Sequence, residues 1–419
     1  MKKCIPLLLA LCLLLCGCLE QPAAPTEKPA PVTPTEYYAP YYADPALRGL
    51  QADVTYSSDA YVQVGRLNNL YGGWAQKLYE TLNVSDLSLS QLPVPDTRWV
   101  RLSFSTAAGE KEEIFTLYEN NLVVAAHPTK GERRCTAAGG TYEAVLAYLD
   151  GVADEQSRYF SLSDEHTDED GYHEASYTLY NEKGKAVVRK KTASDTATVE
   201  MVGEELVRVT DADGTRVYAP HAGKQSVLSC GATALWGDRL AVTDADGVAI
   251  YTTFGTQPLC RIYVAAGATV QGLDFSADGE SLHVLVRNAE GSLYDRTLAV
   301  QEEIDGSVCR MLGDWRSTLT PATEKEEQIT AYNILKKLRH REKKLGYYFS
   351  GILTGHLSVR GKDHFLCEIG HWATAEDGAA AQYEVVGYLL VPADLSVGYA
   401  VELEEDELRW DTKDNWFKK

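Results

Sequence analysis

The sequence predicts a β-rich multidomain protein: an α+β N-terminal unit, a middle region of repeated β-hairpins, and a C-terminal helix followed by an antiparallel sheet. Three observations support this. Strand-like runs alternate with two helix-like segments before residue 156, four glycine turns recur through the middle, and a capped helix near residue 323 precedes five strand-like runs. The 419 residues, 45% of them hydrophobic and 24% charged, suit two or three globular domains.

The predicted organisation follows changes in composition along the chain. We expect a signal segment (residues 1–17), a tether rich in proline, threonine and alanine (18–45), a small α+β domain (46–156), a hairpin-repeat region (157–318) and a second α+β domain (319–419).

The leader, MKKCIPLLLALCLLLCGC, has the pattern of a secretory signal. Two lysines precede an apolar run from Ile5 to Leu15, and the small residue Gly17 stands directly before Cys18. The apolar run has 11 residues, whereas a helix that spans a bilayer needs about 20. The sequence therefore predicts an export signal rather than a permanent membrane span.

The segment Leu15-Cys16-Gly17-Cys18 resembles the lipobox of bacterial lipoproteins, although Cys16 stands where alanine or serine is usual. The resemblance implies that Cys18 is lipidated and becomes the N-terminus of the mature chain, with diacylglycerol and palmitate-like acyl chains as the membrane anchor. Two or three acyl chains hold a protein stably, whereas one holds it marginally. A cleaved signal without lipid is the alternative.

The tether, whose body reads LEQPAAPTEKPAPVTPTEYYAPYYAD, favours extended polyproline-like conformations and lacks the apolar content for a core. We expect it to hold the globular part away from the membrane. Its two tyrosine pairs, Tyr37-Tyr38 and Tyr41-Tyr42, are unusual in a spacer. We expect them to dock on the first domain, and contact with a ligand or the cell wall is the alternative.

In the first domain, apolar spacing predicts a helix over Arg66–Leu82, interrupted at Gly72-Gly73, and a second helix that Thr141 caps. Strands are expected in WVRLSFS, EEIFTLYE and NLVVAA. Strand pairs followed by TYEAVLAYL resemble a pattern in surface proteins of Gram-positive bacteria, and we know of no activity that accompanies it. The resemblance implies an extracytoplasmic location on such a cell.

Four polar turns in the middle region end in a glycine and separate two β-rich runs. The glycines are Gly184, Gly214, Gly247 and Gly291, and a short hairpin turn requires the positive φ that glycine adopts readily. The run VQGLDFSADGESLHVLVRN resembles one blade of a WD-repeat-like β-propeller, without the Gly-His and Trp-Asp signatures. The resemblance implies a partial propeller-like array, and a β-meander sandwich is the alternative.

The C-terminal domain begins with a predicted helix. Thr323 and Glu326 form a capping box, and Ile329, Tyr332 and Leu335 begin an apolar stripe that continues along the helix. Strands follow in GYYFSGIL, HLSVRG, HFLCEIGHW, YEVVGYLLV and GYAVELE. This element order is similar to that of cystatin-like and nuclear-transport-factor-like modules, and the similarity implies only a fold.

The far half of this helix is basic. Lys336, Lys337 and Arg341 belong to a group of six Lys and Arg residues between positions 336 and 344. We expect a solvated face that complements the negative end of the helix dipole. Contact of these three side chains with an anionic partner such as a cell-wall polymer is the alternative.

Two clusters are weak candidates for a metal site. Asp168 and Asp170 lie in SDEHTDEDGYHE, and His364 and His371 lie in DHFLCEIGHW. The first cluster lacks the ligand spacing of an EF-hand loop, and the second has the pattern of a buried strand. We therefore expect an acidic loop and a core strand, with no metal and no cofactor.

Five cysteines lie beyond the leader and anchor: Cys135, Cys230, Cys260, Cys309 and Cys367. An odd number leaves at least one thiol without an intramolecular partner. We expect most of them to be small buried hydrophobic residues. One disulfide is the alternative, because the predicted compartment permits oxidation.

The formal charge of −20 makes nucleic acid an unfavourable partner. The sequence contains no GxSxG, SxxK, HExxH or glycine-rich phosphate-loop motif. We therefore predict a membrane-anchored lipoprotein with a non-catalytic binding or scaffolding role at the cell surface, whose partner is an envelope protein or wall polymer. The alternatives are an extracytoplasmic hydrolase with an acidic site and a structural component of a surface or spore-envelope assembly.

Overall fold

The computed structural model describes residues 50–57, 61, 63–106, 112–127, 131–167, 173–193, 197–276, 278–373 and 381–418. These residues form several separate sheets and few helices, which confirms the predicted β-rich multidomain fold. The predictions for Cys18, the tyrosine pairs of the tether, Asp168 and Asp170 fall outside this range. No helix among the described residues is both long and apolar enough to cross a membrane.

The first seven strands form one antiparallel sheet with the order β2-β1-β4-β5-β6-β7-β3. Two helices, α1 (Trp74–Leu82) and α2 (Thr141–Gln156), share its core, in which Leu78, Phe104 and Leu149 are buried. The strands are β1 (Leu50–Tyr56), β2 (Leu67–Asn68), β3 (Ser88–Leu89), β4 (Trp99–Thr106), β5 (Glu112–Tyr118), β6 (Leu122–His127) and β7 (Gly131–Thr136).

The structure corrects two details of the predicted helices. The helix expected over Arg66–Leu82 is wrong in its first half, because residues 67–68 pair with β1 and Gly72 and Gly73 adopt left-handed φ values of 66° and 62°. Thr141 does not cap α2; Gly140 occupies the N-cap, and the Thr141 hydroxyl donates to the Ala138 carbonyl at 2.8 Å.

Two small antiparallel sheets follow, with the orders β10-β9-β8 and β11-β12-β13-β14. Gly184, Gly214, Gly247 and Gly291 all have positive φ, which confirms their predicted role in turns. At Gly214 the hairpin closes on Asp211. The strands are β8 (Phe160–Thr167), β9 (His173–Tyr180), β10 (Ala186–Ala193), β11 (Thr198–Gly203), β12 (Leu206–Asp211), β13 (Gly214–Ala219) and β14 (Lys224–Gln225).

The next two groups of strands pack face to face around a shared core that includes Ile250, Phe275 and Val284. One group is β15 (Thr233–Trp236), β16 (Arg239–Asp244), β17 (Gly247–Thr252) and β18 (Cys260–Val264), and the other is β19 (Thr269–Phe275), β20 (Ser281–Arg287) and β21 (Leu293–Ala299). The described sheets do not close into a propeller. β18 pairs in parallel with β22 (Val308–Leu312), which extends the first of these groups into a larger sheet. The partial propeller-like array and the β-meander sandwich stay predictions.

The resulting ten-stranded sheet has the order β15-β16-β17-β18-β22-β27-β26-β25-β24-β23. Helix α3 (Glu324–Leu345) packs on its far end through Ile334 and Leu338. The sheet runs across residue 318, and the predicted domain boundaries stay predictions. The remaining strands are β23 (Ser350–Val359), β24 (Lys362–Ala373), β25 (Gln382–Pro392), β26 (Tyr399–Leu403) and β27 (Glu407–Asn415).

Replacing Thr323 with Ala is expected to lower the free energy of unfolding by about 1 kcal/mol. Thr323 caps α3 by accepting a hydrogen bond from the Glu326 N–H, and the Glu326 carboxylate accepts one from the Thr323 N–H. Urea unfolding of the full-length protein measures the loss. Thr323→Ser keeps the hydroxyl and should retain most of the stability; equal losses in the two variants would contradict the capping role.

Candidate functional site: a basic and aromatic groove

The described residues of the C-terminal region form an open groove of about 590 Å³ between α3 and the segment that follows it. One wall is a face of α3, and the other is the chain from Gly346 to Phe349. We call this feature the basic–aromatic groove and define it by Tyr332, Lys336, Arg339, Lys343, Tyr347 and Tyr348.

Helix geometry explains why four side chains of α3 line the same groove. Tyr332, Lys336, Arg339 and Lys343 are separated by four, three and four residues, a spacing that places side chains on one face of an α-helix. The opposite face of α3 carries the buried residues that fix it to the sheet. Because one face of α3 is buried against the sheet, the opposite face, with the three cations and Tyr332, points to solvent.

The end of α3 turns the chain back toward the helix. Gly346 adopts φ 83° as the C-cap, a left-handed conformation that favours glycine. The Glu342 carboxylate then accepts a hydrogen bond from the Phe349 N–H at 2.9 Å, and the Phe349 side chain is buried. These contacts hold Tyr347 and Tyr348 beside the helix.

The three cations of the groove are exposed, and the one carboxylate of its lining, Glu342, accepts the hydrogen bond from the Phe349 N–H. Among the ion pairs of the described residues, none involves Lys336, Arg339 or Lys343. Tyr332 and Tyr348 are also open to solvent, with 60% and 85% of their surface exposed. In a chain with a formal charge of −20, this concentration of free positive charge and exposed aromatic rings is unusual.

The three basic residues that the sequence singled out divide between two faces of α3. Lys336 lies in the groove. The Lys337 ammonium lies 5.3 Å from the centre of the Phe417 ring, and the Arg341 guanidinium lies 4.6 Å from that of Trp416, with Asp414 3.7 Å away. Lys337 and Arg341 therefore hold the C-terminal segment on the helix. Their predicted contact with an anionic partner stays a prediction.

Tyr347 connects the groove to the sheet. Its ring packs on His371 with 4.1 Å between the ring centres and meets Phe349 edge to face at 5.6 Å. His371 lies on β24, and its Nε2 is 3.5 Å from a carboxylate oxygen of Glu384 on β25. His371 thus supports the wall of the groove.

The other metal candidates do not converge within the described residues, which contain no group of three His, Cys, Asp or Glu side chains arranged to hold a metal. His364 lies near the start of β24, and its Nδ1 is 2.9 Å from the Lys362 carbonyl. Burial lowers the pKa of His364 below its usual range. The expectation that DHFLCEIGHW is a strand is confirmed.

The cysteines of the described residues are free thiols rather than disulfides. Cys135, Cys260 and Cys367 are buried, Cys309 is partly buried and Cys230 is exposed. Burial raises the pKa of Cys260 and of Cys367 to about 12, so both stay protonated at neutral pH. The prediction that most of these residues act as small buried hydrophobic side chains is confirmed for the three buried ones.

Sequence reasoning missed Arg339, Lys343, Tyr347 and Tyr348 as members of one site. The four-three-four spacing from Tyr332 is present in the sequence, but the predicted apolar stripe also includes Tyr332, so the spacing alone does not indicate a second face. The run GYYFSGIL predicts a strand that includes Tyr347 and Tyr348, whereas β23 begins only at Ser350.

The comparisons with known proteins add no family. No protein-family model matches the chain, and no curated protein matches its sequence.

Proposed function

We propose that this protein is a membrane-anchored, extracytoplasmic binding protein that holds an anionic polymer of the cell envelope in the basic–aromatic groove. The single observation that supports the proposal most is the free, exposed triad of Lys336, Arg339 and Lys343 on one helix face beside three tyrosines. The lipobox and the proline-rich tether support placement on the outer face of the membrane.

The charge pattern favours a polymer with repeated anionic groups over one small anion. The cations of the groove succeed one another along α3, whose rise is about 1.5 Å per residue. Lys336 and Lys343 are seven residues apart, so their attachment points lie about 10 Å from each other along the helix axis. A chain of phosphates or carboxylates can contact such a row, whereas one small ion cannot reach both ends.

The tyrosines add a surface for the uncharged part of the polymer. Tyr332 and Tyr348 present aromatic faces to solvent at the groove, and an aromatic ring with a hydroxyl contacts both apolar and polar groups. A glycerol or sugar backbone offers C–H groups and hydroxyls between its charges. The cations of α3 and the tyrosine rings on both walls of the groove therefore suit an anionic glycopolymer.

The triple variant Lys336→Glu, Arg339→Glu and Lys343→Glu is expected to weaken binding of polyglycerol phosphate by roughly 10- to 100-fold, because three exposed attractive contacts become repulsive. Binding is measured with full-length protein in detergent on immobilised polymer, with uncharged dextran as the reference surface. Wild-type binding should also fall as salt rises, since the Debye length shortens.

The matched control reverses three exposed basic residues elsewhere, two in the turn before β10 and one on β10: Lys183→Glu, Lys185→Glu and Arg189→Glu change the net charge equally. This variant should bind the polymer almost as the wild type does. Equal loss in both triple variants would show that overall charge, rather than the groove, determines binding. Equal binding of dextran and polyglycerol phosphate would contradict the proposal as well.

Fatty-acid labelling of the wild type, with no labelling of Cys18→Ala, is the expected result for the anchor. The thiol of Cys18 is the attachment point that the lipobox implies, and alanine lacks it. Cells are grown with a radioactive or clickable fatty acid, and the protein is recovered and counted. Labelling of the variant at the wild-type level would contradict lipid attachment at this residue.

A further inference from the structure

A second cleft, separate from the basic–aromatic groove, lies where four groups of strands meet. It has a volume of about 320 Å³ and is lined by β1–β2, by β11–β13, by the chain entering β15 and by β19. Pockets of at least about 300 Å³ are of the size that binds small molecules. We call it the central cleft.

Two arginines face the central cleft, and each is anchored by a carboxylate. Nε and Nη2 of Arg66 donate to the two carboxylate oxygens of Asp53, both at 2.8 Å. Nε of Arg208 donates to a carboxylate oxygen of Glu200 at 2.7 Å. Anchoring on one side fixes the plane of each guanidinium before any ligand arrives, which reduces the entropy that binding costs.

Glu200 forms the floor of this arrangement. Its side chain is 3% exposed, and its second oxygen accepts a hydrogen bond from Asn68 Nδ2 at 2.7 Å. Burial raises the pKa of Glu200, but Arg208 and Asn68 outweigh that effect and hold the pKa below its usual range. Glu200 therefore stays ionised and orients Arg208.

Spare donors of both arginines are available to a ligand. Within the described part of the chain, neither Nη1 of Arg66 nor Nη2 of Arg208 donates a hydrogen bond. Neither atom belongs to the buried, unpartnered side-chain atoms of that part, so solvent reaches both. The cleft thus presents oriented N–H groups that water satisfies in the absence of a ligand.

The remaining lining complements a neutral molecule with hydroxyls. Asp53 and Glu200 balance the charges of the two arginines, and the carboxylate of Asp274, which also lines the cleft, disfavours an anion. The Thr210 hydroxyl pairs with that of Thr215, and the Thr233 hydroxyl accepts from Arg208 and keeps its own proton for a ligand. Leu50, Leu235 and Leu273 add an apolar surface. A sugar ring has matching hydroxyls and C–H groups.

We propose that the central cleft binds a neutral sugar of about one monosaccharide unit, with Arg66 and Arg208 as its principal hydrogen-bond donors. The site is independent of the proposed polymer groove, because its residues lie on β1, β2, β11–β13, β15 and β19 rather than on α3. Either proposal can fail without the other.

Saturation-transfer NMR on the full-length protein in detergent tests the site with four probes: N-acetyl-D-glucosamine, D-glucose, D-galactose and the anionic sugar D-glucuronate. At least one neutral sugar should receive saturation. Arg66→Ala should weaken its affinity roughly tenfold or more, because a hydrogen bond from a charged donor is lost. In this variant Asp53 loses its ion pair with Arg66, but its side chain is half-exposed, so water solvates the carboxylate and the loss of folding stability is limited.

A second variant blocks the cleft without removing a charge. Gln271→Trp replaces an exposed lining residue with a large ring and should also reduce saturation transfer. Arg98→Ala, which removes an exposed ion pair with Glu119 elsewhere, should leave transfer unchanged. The proposal is overturned if no neutral sugar is saturated, if transfer persists in both cleft variants, or if D-glucuronate is the preferred probe.

Discussion

Replacing Arg208 with Met is expected to lower the free energy of unfolding by about 3–5 kcal/mol at neutral pH. The variant leaves Glu200 buried with only Asn68 as a hydrogen-bond partner. A buried carboxylate without its cation must either remain charged at a high cost or take up a proton. Urea unfolding at pH 7 measures the effect.

Two comparisons separate this effect from a simple loss of side-chain contacts. Adding Glu200→Gln to Arg208→Met removes the uncompensated charge and should recover part of the stability. Arg98→Met breaks an exposed ion pair with Glu119 and should change stability little, since water solvates both groups. A loss in Arg208→Met no greater than in Arg98→Met would contradict the role assigned to Glu200.

The stability of the wild-type protein is expected to fall as pH rises from about 4.5 to 7, through ionisation of Glu303. Glu303 is 1% exposed, and burial raises its pKa from 4.5 to about 7. A carboxyl whose pKa is higher in the folded state favours folding in its protonated form. Its contribution is therefore complete below the unfolded pKa of 4.5 and is lost as pH rises through 7.

Burial determines this direction, because the largest effect of a neighbouring charge, that of Arg310, lowers the pKa of Glu303. Arg310 on β22 lies 2.6 Å from Glu303 and 3.2 Å from Glu407 on β27, so one buried cation faces two carboxylates. Arg409 lowers the pKa of Glu303 and Glu302 raises it, both to a smaller extent. Cys260 and Cys309, on β18 and β22, also lie in this environment and stay protonated, since their pKa values are raised to about 12 and about 11. A proton on Glu303 leaves a balanced pair of Arg310 and Glu407.

Glu303→Gln tests this assignment because it imitates the protonated carboxyl. The variant should lose the pH dependence between 4.5 and 7 and exceed the wild type at pH 8 by on the order of 3 kcal/mol. Urea unfolding across this pH range gives the measurement. Glu302→Gln, on the neighbouring exposed residue, is the matched control. The same slope with pH in wild type and Glu303→Gln would contradict the assignment.

Local signals in the sequence predicted most of the elements correctly. The glycines of four turns, the capping box at Thr323 and Glu326 and the alternating strands all depend on neighbours within a few residues. The helix predicted from Arg66 failed because its first residues pair with β1, a contact that apolar spacing does not report. Propensity was overridden by sheet pairing, as it often is.

The order of the strands within the sheets could not be predicted from the sequence pattern. The parallel pairing of β18 with β22 joins Arg261 to Cys309 across 48 residues, and nothing local to either strand indicates it. This pairing joins the strands β15–β18 to a ten-stranded sheet, whereas the run that resembles a propeller blade forms β19 and β20 of a separate three-stranded sheet. The structure contains the hairpins that the four glycine turns predict. How these hairpins pack depends on contacts between residues far apart in the sequence, which the repeated turns do not indicate.

The basic–aromatic groove and the central cleft likewise could not be predicted from the sequence pattern. Basic residues on α3 were visible in the sequence, yet only the structure separates Lys336 in the groove from Lys337 and Arg341 on the C-terminal aromatic residues. The central cleft joins Arg66 to Glu200 and Arg208, which are more than a hundred residues away in the chain. Such a site can be recognised only after the sheets are assembled.

Photo-crosslinking in intact cells tests most directly whether the basic–aromatic groove holds an envelope polymer. A benzophenone amino acid replaces Tyr348, or, as the control, Leu228 in the connection between β14 and β15, because both positions are exposed. The account predicts a phosphate- or carboxylate-rich polymer attached at position 348, little at position 228, and loss of the adduct in the triple variant of Lys336, Arg339 and Lys343. No polymer at position 348, or equal attachment at both positions, would contradict it.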